Sequence, residues 1–441
     1  GNITFNNTDL STALADLVLD LTRGQDASFT NIDISGSFIL NNIDISGKLT
    51  QIDAYLVNLE SSISDVTSGL FDLIPNTDNS SAIINEIANN FTEPWWLKYS
   101  DTYNDGPPHG KTGLEFAGGV LAPNGKVILV PFNSDNVGIY DPNIGPDGSY
   151  NNGPIHGKGT KAFLGGVLAP NGKVILVPYY SDFIGIYDPN IGPDGSYNDG
   201  PPHGKDNLPF YGGVLAPNGK VILVPHDSSY VGIYDPNIGL DGSYNDGPAH
   251  GRGNNAFNGG VLAPNGKVIL VPFNSDNVGI YDPNIGPDGS YNDGPAHGRG
   301  NNAFAGGVLA PNGKVILVPH DSSYVGIYDP SDGTYNDGPA HGLSGYAFTG
   351  GVLAPNGKVI LVPSNSDSIG IYDPNIGPDG SYNDGPLHGD GIASSPFAGG
   401  VLAPNGKVIL VPYGSSCIGI YGGDYPLKNE NDVLSPYFNK F

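Results

Sequence analysis

Cysteine is almost absent from this chain, since Cys417 is the only one among 441 residues, and methionine is missing altogether. A single cysteine excludes an intrachain disulfide and any metal site built from several thiolates. Basic residues are also few, because 18 Lys and Arg stand against 44 Asp and Glu, a formal net charge of -26. Such a charge repels a phosphate backbone, so we expect no nucleic-acid partner. No apolar run is long enough to cross a bilayer, so we expect no membrane insertion.

Residues that commonly carry catalysis are scarce in the second part of the chain. Beyond residue 99, Arg252 and Arg299 are the only arginines, and Glu115 is the only glutamate before the C-terminal tail. The sequence has no Gly-X-Ser-X-Gly nucleophile motif and no Walker-type phosphate loop. Glycosidases need two carboxyl groups in different environments, and no such pair departs from the repeated pattern. We therefore predict that the chain is not an enzyme.

The dominant feature of the sequence is a phrase, Val-Leu-Ala-Pro-Asn-Gly-Lys-Val-Ile-Leu-Val-Pro, that occurs seven times. Its copies are spaced by 47, 47, 47, 47, 44 and 49 residues. They begin at Val120, Val167, Val214, Val261, Val308, Val352 and Val401. A fixed period of this size is typical of units that stack on copies of themselves, and seven such units match the blades of a β-propeller.

One unit predicts four strands. Phe116–Ala122 predicts the innermost strand, in which paired glycines permit a close approach of backbones at a crowded axis. After the Pro-Asn-Gly-Lys turn, the apolar run Val127–Val130 predicts a strand buried on both faces. Val137–Tyr140 predicts the third strand, and Ser149–Tyr150 predicts the fourth after a loop rich in Pro and Gly.

The ends of the repeat region predict a closed ring. A fourth-strand phrase, Thr102–Gly110, precedes the first unit, whereas the last unit stops after its third strand at Ile418–Tyr421. The last blade is therefore expected to take its outer strand from the beginning of the domain, which removes two unpaired edges. The fold class that we predict is an all-β, seven-bladed β-propeller over residues 99–422. The Gly-Gly-Val-Leu-Ala-Pro-Asn-Gly-Lys phrase resembles propeller-like repeats in surface proteins of protists, bacteria and large DNA viruses.

The first 73 residues have a different pattern. Two short a/d seams flank a repeat in which Asn31–Gly36 recurs as Asn42–Gly47. The seams consist of Leu10, Leu14, Leu17 and Leu21, and of Leu56, Leu59, Ile63, Val66 and Leu70. This arrangement resembles the shafts of trimeric fibre proteins of phages and large viruses, which implies a mixed helical and β trimeric stalk over residues 1–73. Ordinary helices packed on a domain remain the alternative for each seam.

The segments between and after these parts complete the predicted domain organisation. Residues 74–98 are interpreted as a linker and joint helix, in which Trp95 and Trp96 form a hydrophobic contact, and residues 423–441 as a C-terminal tail. Four glycosylation sequons lie outside the repeats and weakly indicate secretion; they are at Asn2, Asn6, Asn79 and Asn90.

Two repeated residue types could bind metal, and each has a structural interpretation that we favour. Seven histidines share a Pro-X-His-Gly register, but copies on seven blades lie far apart, so we expect them to hold loops through hydrogen bonds. They are His109, His156, His203, His250, His297, His341 and His388. The Asp-rich loops could bind calcium, although Asx turns explain the same residues. We expect no cofactor, and calcium remains the alternative.

The loops that vary between units indicate a binding surface. In an up-and-down blade, the connection between the second and third strands emerges on the same face as the connection between blades. Both connections vary, and they are rich in aromatic and short polar residues, which suit stacking on sugars and hydrogen bonding to hydroxyls. The candidate ligand-binding residues are Phe132, Asn133, Asp135, Tyr180, Asp182, Phe183, His226, Asp227, Tyr230, Phe273, Asp276, His320, Asp321, Tyr324 and Tyr413.

Together these features predict a non-enzymatic extracellular or virion-surface fibre subunit. A homotrimeric stalk over residues 1–73 would carry propeller heads that bind a surface ligand, with a glycan or a protein as its candidates, and three heads would strengthen weak contacts. The alternative is a purely structural protein that assembles into a filament, sheath or capsid decoration.

Overall fold

The computed structural model describes residues 100–206, 208–343, 345–389 and 395–422, and four backbone positions near the N terminus. The chain divides into two compact units, Gly1–Thr92 and Glu93–Phe441. In the first unit, β1 (Ile39–Leu40) and β2 (Ile43–Asp44) form an antiparallel pair. The predicted stalk seams, the joint helix with its tryptophans, the four sequons and the C-terminal tail lie outside the described residues.

The second unit contains seven antiparallel sheets of four strands, which confirms the predicted seven-bladed propeller. In this article, blade 1 begins at Phe116 and blade 7 at Phe397. The innermost strands are β4 (Phe116–Leu121), β8 (Phe163–Leu168), β12 (Phe210–Leu215), β16 (Phe257–Leu262), β20 (Phe304–Leu309), β24 (Phe348–Leu353) and β28 (Phe397–Leu402). The second strands are β5 (Val127–Pro131), β9 (Val174–Pro178), β13 (Val221–Pro225), β17 (Val268–Pro272), β21 (Val315–Pro319), β25 (Val359–Pro363) and β29 (Val408–Pro412).

The third and fourth strands complete each blade. The third strands are β6 (Asn136–Asp141), β10 (Phe183–Asp188), β14 (Tyr230–Asp235), β18 (Asn277–Asp282), β22 (Tyr324–Asp329), β26 (Ser368–Asp373) and β30 (Cys417–Tyr421). The outer strands are β7 (Ser149–Ile155), β11 (Ser196–Pro202), β15 (Ser243–Ala249), β19 (Ser290–Ala296), β23 (Thr334–Ala340), β27 (Ser381–Leu387) and, for blade 7, β3 (Tyr103–Pro108). They continue beyond the predicted Ser-Tyr pair because an outer edge strand tolerates proline.

The glycine pairs of the innermost strands bring neighbouring blades together at the axis. A Cβ atom placed on Gly165 would lie 2.8 Å from the Cα of Gly212, and one placed on Gly399 would lie 3.4 Å from the Cα of Gly118. The seven pairs line a cavity of about 260 Å³ on the axis. Only glycine fits this ring because a side chain would meet the backbone of the next blade.

The hydrophobic core lies between consecutive blades. The second strand of each blade is buried along its whole length, as its unbroken apolar run predicts. Between blades 1 and 2, for example, Ile128 and Val130 of one sheet pack against Phe163 and Leu176 of the next. Seven such clusters encircle the axis, and one of them joins blade 7 to blade 1. Each blade is therefore stabilised by burial against both neighbours.

The ring closes as predicted, because β3 pairs with β30. Tyr103 lies opposite Tyr421 in the antiparallel register, and Pro108 lies opposite Cys417. Blade 7 also reaches blade 1 through its constant turn, where Asn405 Nδ2 donates to the carbonyl oxygen of Pro142 at 3.3 Å. The constant Asn-Gly-Lys turn thus helps to join successive blades.

Candidate functional site

The connections that vary between blades emerge on one face, which we call the variable face. It carries the loops between the second and third strands and the connections that lead to the next blade. The Pro-Asn-Gly turns and the loops before the outer strands lie on the opposite, constant face, as the up-and-down connectivity requires. Differences between the blades are therefore concentrated on the variable face.

The first residue of each varying loop lies close to the axis, and six of the seven are aromatic. We call these six residues the aromatic collar: Phe132, Tyr179, His226, Phe273, His320 and Tyr413. Neighbouring rings of the collar have centroids 5.4–6.5 Å apart. The distances are 5.4 Å for Tyr413–Phe132, 5.7 Å for Phe132–Tyr179, 6.5 Å for Tyr179–His226, 6.1 Å for His226–Phe273 and 5.6 Å for Phe273–His320. In blade 6 the corresponding residue is Ser364, so the collar is interrupted once.

Tyr211 of β12 extends over the axis inside the collar. Its ring lies 5.5 Å from that of His226, and it lies near the phenols of Tyr179 in blade 2 and Tyr413 in blade 7. Its hydroxyl is also near the side chain of Thr349 in blade 6. Burial raises the pKa of Tyr211 and raises that of Tyr413 to about 12, so both phenols are neutral at physiological pH. Tyr211 therefore lies across the variable-face end of the axial cavity.

A second polar group lies beside Tyr211. His226 is buried, and burial lowers its pKa although the nearby polar side chains of Asn255 and Asn258 oppose the shift. Nδ1 of His226 faces the carbonyl oxygen of Phe257 at 3.4 Å, and Nδ1 of His320 faces that of Phe348 at 3.0 Å. Since a carbonyl oxygen only accepts, Nδ1 carries the proton in each ring. Asn258 is 97% buried (3% exposed), and its Oδ1 accepts no hydrogen bond.

The varying loops are held rigidly. Ser134 Oγ donates to the carbonyl oxygen of Asn136 at 2.7 Å and accepts from its amide at 3.2 Å, and the serine recurs in every blade. In the blade connection, Lys161 has a φ of 56°, donates its amide to Asn133 Oδ1 and accepts from the amide of Tyr180. The connection is thereby fixed to two blades, which presents the varying side chains in a preorganised arrangement.

Left-handed backbone recurs at the same place in five more of the seven connections. Among the described residues, the non-glycine residues with positive φ are Lys161, Leu208, Asn255, Asn302, Tyr346 and Ser395. Among them, Tyr346 is 45% exposed and stacks against His320 with a centroid distance of 4.7 Å. Tyr346 and Tyr211 are not among the residues predicted from sequence, because neither lies in the loop between the second and third strands.

The predicted site residues separate into an inner and an outer set. Phe132, His226, Phe273, His320 and Tyr413 belong to the collar. The aromatic residues at the fifth position of the varying loop lie farther from the axis, and each has a cation over its ring. Lys158 Nζ is 4.5 Å from the ring centroid of Phe183, and Lys205 Nζ is 4.9 Å from that of Tyr230. Arg299 covers Tyr324 in the same way. These cations also pair with carboxylates of the outer strands, so the outer aromatic residues support contacts between blades.

The remaining predicted residues lie between these sets. Asp227 Oδ1 accepts from the amide of Asn255 at 2.8 Å, as Asn133 does for Lys161. Tyr180 is 38% exposed, with Lys161 Nζ 5.5 Å from its ring centroid. The other four, Asp135, Asp182, Asp276 and Asp321, have exposed side chains.

The Pro-X-His-Gly histidines hold loops in place. His156 is buried, its Nε2 lies 2.7 Å from the carbonyl oxygen of Ser134, and its Nδ1 accepts from the amide of Lys158. The same pair of contacts is found in blade 2 at His203. Nε2 therefore carries the proton, and the neutral ring bridges two connections of the variable face.

Metal-binding groups do not assemble in the part of the chain that the structure describes. Within residues 100–206, 208–343, 345–389 and 395–422, no three His, Cys, Asp or Glu side chains are grouped so as to hold an ion. Asp141 Oδ1 instead accepts from the amide of Asn143 at 3.0 Å, which is an Asx turn. Among these described residues there is also no helix of the length and hydropathy needed to span a membrane.

Comparison with known proteins supports the fold. No protein-family model and no curated protein matches the chain. Among solved structures, a streptogramin B lyase is 13% identical with a TM-score of 0.60, covering 76% of this chain and 100% of its own. The extracellular domain of a putative hybrid two-component system from B. thetaiotaomicron is 13% identical with a TM-score of 0.55, covering 74% and 42%. A fungal alcohol oxidase in complex with copper is 15% identical with a TM-score of 0.53, covering 76% and 78%.

These similarities correct one prediction. The expectation that the chain is not an enzyme is wrong, because similar structures include a lyase and an alcohol oxidase, so this fold gives no ground for excluding catalysis. Carboxylates outside the sevenfold pattern are not the only side chains that could carry catalysis. The structure gathers other polar side chains that depart from the sevenfold pattern near the axis, namely Tyr211, His226, Asn258 and Thr349. It also buries Glu115, whose pKa is raised by that burial.

Proposed function

We propose that the protein binds a surface ligand, with a glycan as its chemical class, through the aromatic collar and the side chains around it. The observation that carries this proposal is the concentration of rings at the axis of the variable face. The six collar residues occupy equivalent positions in six blades and differ in type, although the strands around them are nearly identical. Tyr211 adds a seventh ring from an innermost strand.

The chemistry of these positions favours a carbohydrate. Aromatic faces stack on the apolar faces of sugars, while hydroxyl and amide groups bond to sugar hydroxyls. The collar supplies the rings, and its tyrosines and histidines also carry polar groups. Because the loops are fixed by Ser134-type turns and by the left-handed residues, little ordering entropy would be lost on binding.

We further propose an extracellular or virion-surface location and a homotrimeric stalk over residues 1–73. Extracellular domains among the similar structures support the location. Three heads on one stalk would raise the effective concentration of weak sites. Light scattering on the full chain tests the assembly: a trimeric mass is expected, and a monodisperse monomer would exclude the trimer.

The binding proposal is tested by placing the full chain on a glycan array. We expect a defined set of glycans to be retained by the unmodified protein and lost by Phe273→Ala, since this ring lies between His226 and His320. The matched control is Ile285→Ser on the constant face, where the side chain is 55% exposed; it should bind as the unmodified protein does. Absence of binding to every glycan, or equal loss in both variants, would refute the proposal. Mass spectrometry of the retained glycans would reveal any chemical conversion.

A further inference from the structure

The interruption of the collar in blade 6 differs chemically from the rest of the variable face. Ser364 takes the place of a ring, and its Oγ lies 3.4 Å from Oγ of Ser395. Ser395 occupies the position that carries the exposed Tyr346 in the preceding connection. At the axis, Thr349 of the same blade lies near the hydroxyl of Tyr211. Blade 6 and the connection that follows it therefore carry three hydroxyl side chains, those of Thr349, Ser364 and Ser395; we call this part of the variable face the sector.

Aromatic side chains flank this sector on both sides. Tyr346 lies on the blade 5 side, stacked on His320, and its carbonyl oxygen accepts from the amide of Asn365 at 3.0 Å. Tyr413 lies on the blade 7 side, where its ring contacts Phe132 and its amide donates to the carbonyl oxygen of Pro396 at 2.8 Å. Both rings are thus positioned by backbone hydrogen bonds.

The sector also lacks the cations found elsewhere on the variable face. The connections into blades 2 to 5 carry Lys158, Lys205, Arg252 and Arg299, each paired with a carboxylate of an outer strand. In the connection into blade 6, Leu343 stands at that position. A carboxylated sugar would find no basic partner there, in a chain whose formal net charge is -26.

We propose that this sector, which rests on the proposed glycan binding, is the primary subsite and takes a neutral pyranose. One face of the sugar stacks on Tyr346, and its hydroxyls bond to Ser364, Ser395 and Thr349. The rest of the collar supports this sector and contacts the remainder of the glycan. Selectivity against uronic and sialic acids follows from the missing cation.

The test uses saturation-transfer NMR on the full chain with methyl β-D-galactopyranoside, methyl β-D-glucopyranoside and methyl β-D-glucuronide as probes. We expect saturation of at least one neutral glycoside and little of the glucuronide. Ser364→Tyr restores the residue found in blades 2 and 7 and should reduce the signal about fivefold or more, because it removes hydroxyl contacts of about 1 kcal/mol and fills the sector. Ser364→Ala, which removes only the hydroxyl, serves where the larger side chain disturbs folding.

Ile376→Ser is the control, since this side chain is 55% exposed in the constant-face loop of the same blade; it should keep the signal. Unchanged binding by both Ser364 variants, or equal saturation of the glucuronide, would overturn the subsite while leaving glycan binding intact. If none of the glycosides is saturated and the glycan array is also empty, the proposed function itself fails.

Discussion

The side chain of Tyr211 lies near that of Thr349 across the propeller axis, although the two residues belong to blades 3 and 6. Thr349 stands at the corresponding position of blade 6, and the other five innermost strands carry Ala, Leu or Asn there. A single large side chain therefore covers the end of a cavity that seven glycine pairs line symmetrically. Tyr211 therefore breaks the sevenfold symmetry of the propeller at its axis.

Removing the ring of Tyr211 should destabilise the propeller. Tyr211→Ala leaves a gap among the collar residues, and we expect a loss of about 2 kcal/mol in the free energy of unfolding. Tyr211→Phe removes only the hydroxyl and should cost about 1 kcal/mol or less. Denaturant unfolding followed by tyrosine fluorescence measures both. Equal effects of the two variants would mean that the ring does not fill the axis.

Crowding at the axis can be separated from backbone strain with two glycines. Gly165 and Gly192 have φ values of 80° and 68°, but a Cβ on Gly165 would meet Gly212 at 2.8 Å whereas one on Gly192 would meet nothing within 4 Å. Gly192→Ala should cost about 1–2 kcal/mol from its left-handed backbone alone. Gly165→Ala should cost several times more, seen as a much lower unfolding temperature. Similar values for both would show that the blades do not approach closely.

Stability should fall in mild acid because buried histidines are neutral in the fold. Burial lowers the pKa of five of the loop histidines: His156, His203, His250, His297 and His341. The unfolded chain then binds more protons below its histidine pKa of about 6.5, so stability is complete above that pH and is lost below it. Glu115 opposes this trend as a single group. Unfolding temperatures should be level from pH 8 to 7 and decline toward pH 5; a rise on acidification would contradict this account.

Lys158, which lies between blades 1 and 2, should contribute modestly to the free energy of unfolding, and this contribution should depend on salt. Lys158 pairs with Asp199 at 2.5 Å and covers the ring of Phe183. We expect Lys158→Ala to cost about 1 kcal/mol in dilute buffer and less in 1 M salt. Lys111→Ala is the control, because Asn152 stands in blade 1 where blade 2 has Asp199. An equal loss for both lysines would exclude the ion pair as the cause.

The sequence determined the blades far better than the site. The glycine pairs and the uninterrupted run Val127–Val130 report their surroundings directly, since each pattern has one physical explanation at a crowded axis or between two sheets. The sequences of the loops do not report their surroundings in this way, because a varying residue can face either the axis or the rim of the propeller. The first loop residue Phe132 lies in the collar, whereas the fifth residue of the next blade, Phe183, lies under Lys158. The side chain of Tyr211 meets residues of other blades, and no local pattern encodes such a contact.

The most direct test of the closed ring uses the native Cys417. Pro108 of β3 lies opposite it in the register that joins the two ends of the propeller. Residues that face each other across two antiparallel strands generally have Cα atoms within the range that a disulfide can bridge. Pro108→Cys should therefore form an intrachain disulfide under mild oxidation, detected by mass spectrometry as a loss of two hydrogen atoms and a peptide pair joining β3 to β30. Pro202→Cys, at the equivalent position of blade 2, should keep both thiols free. Two free thiols in oxidised Pro108→Cys would contradict the closure on which the axial site depends.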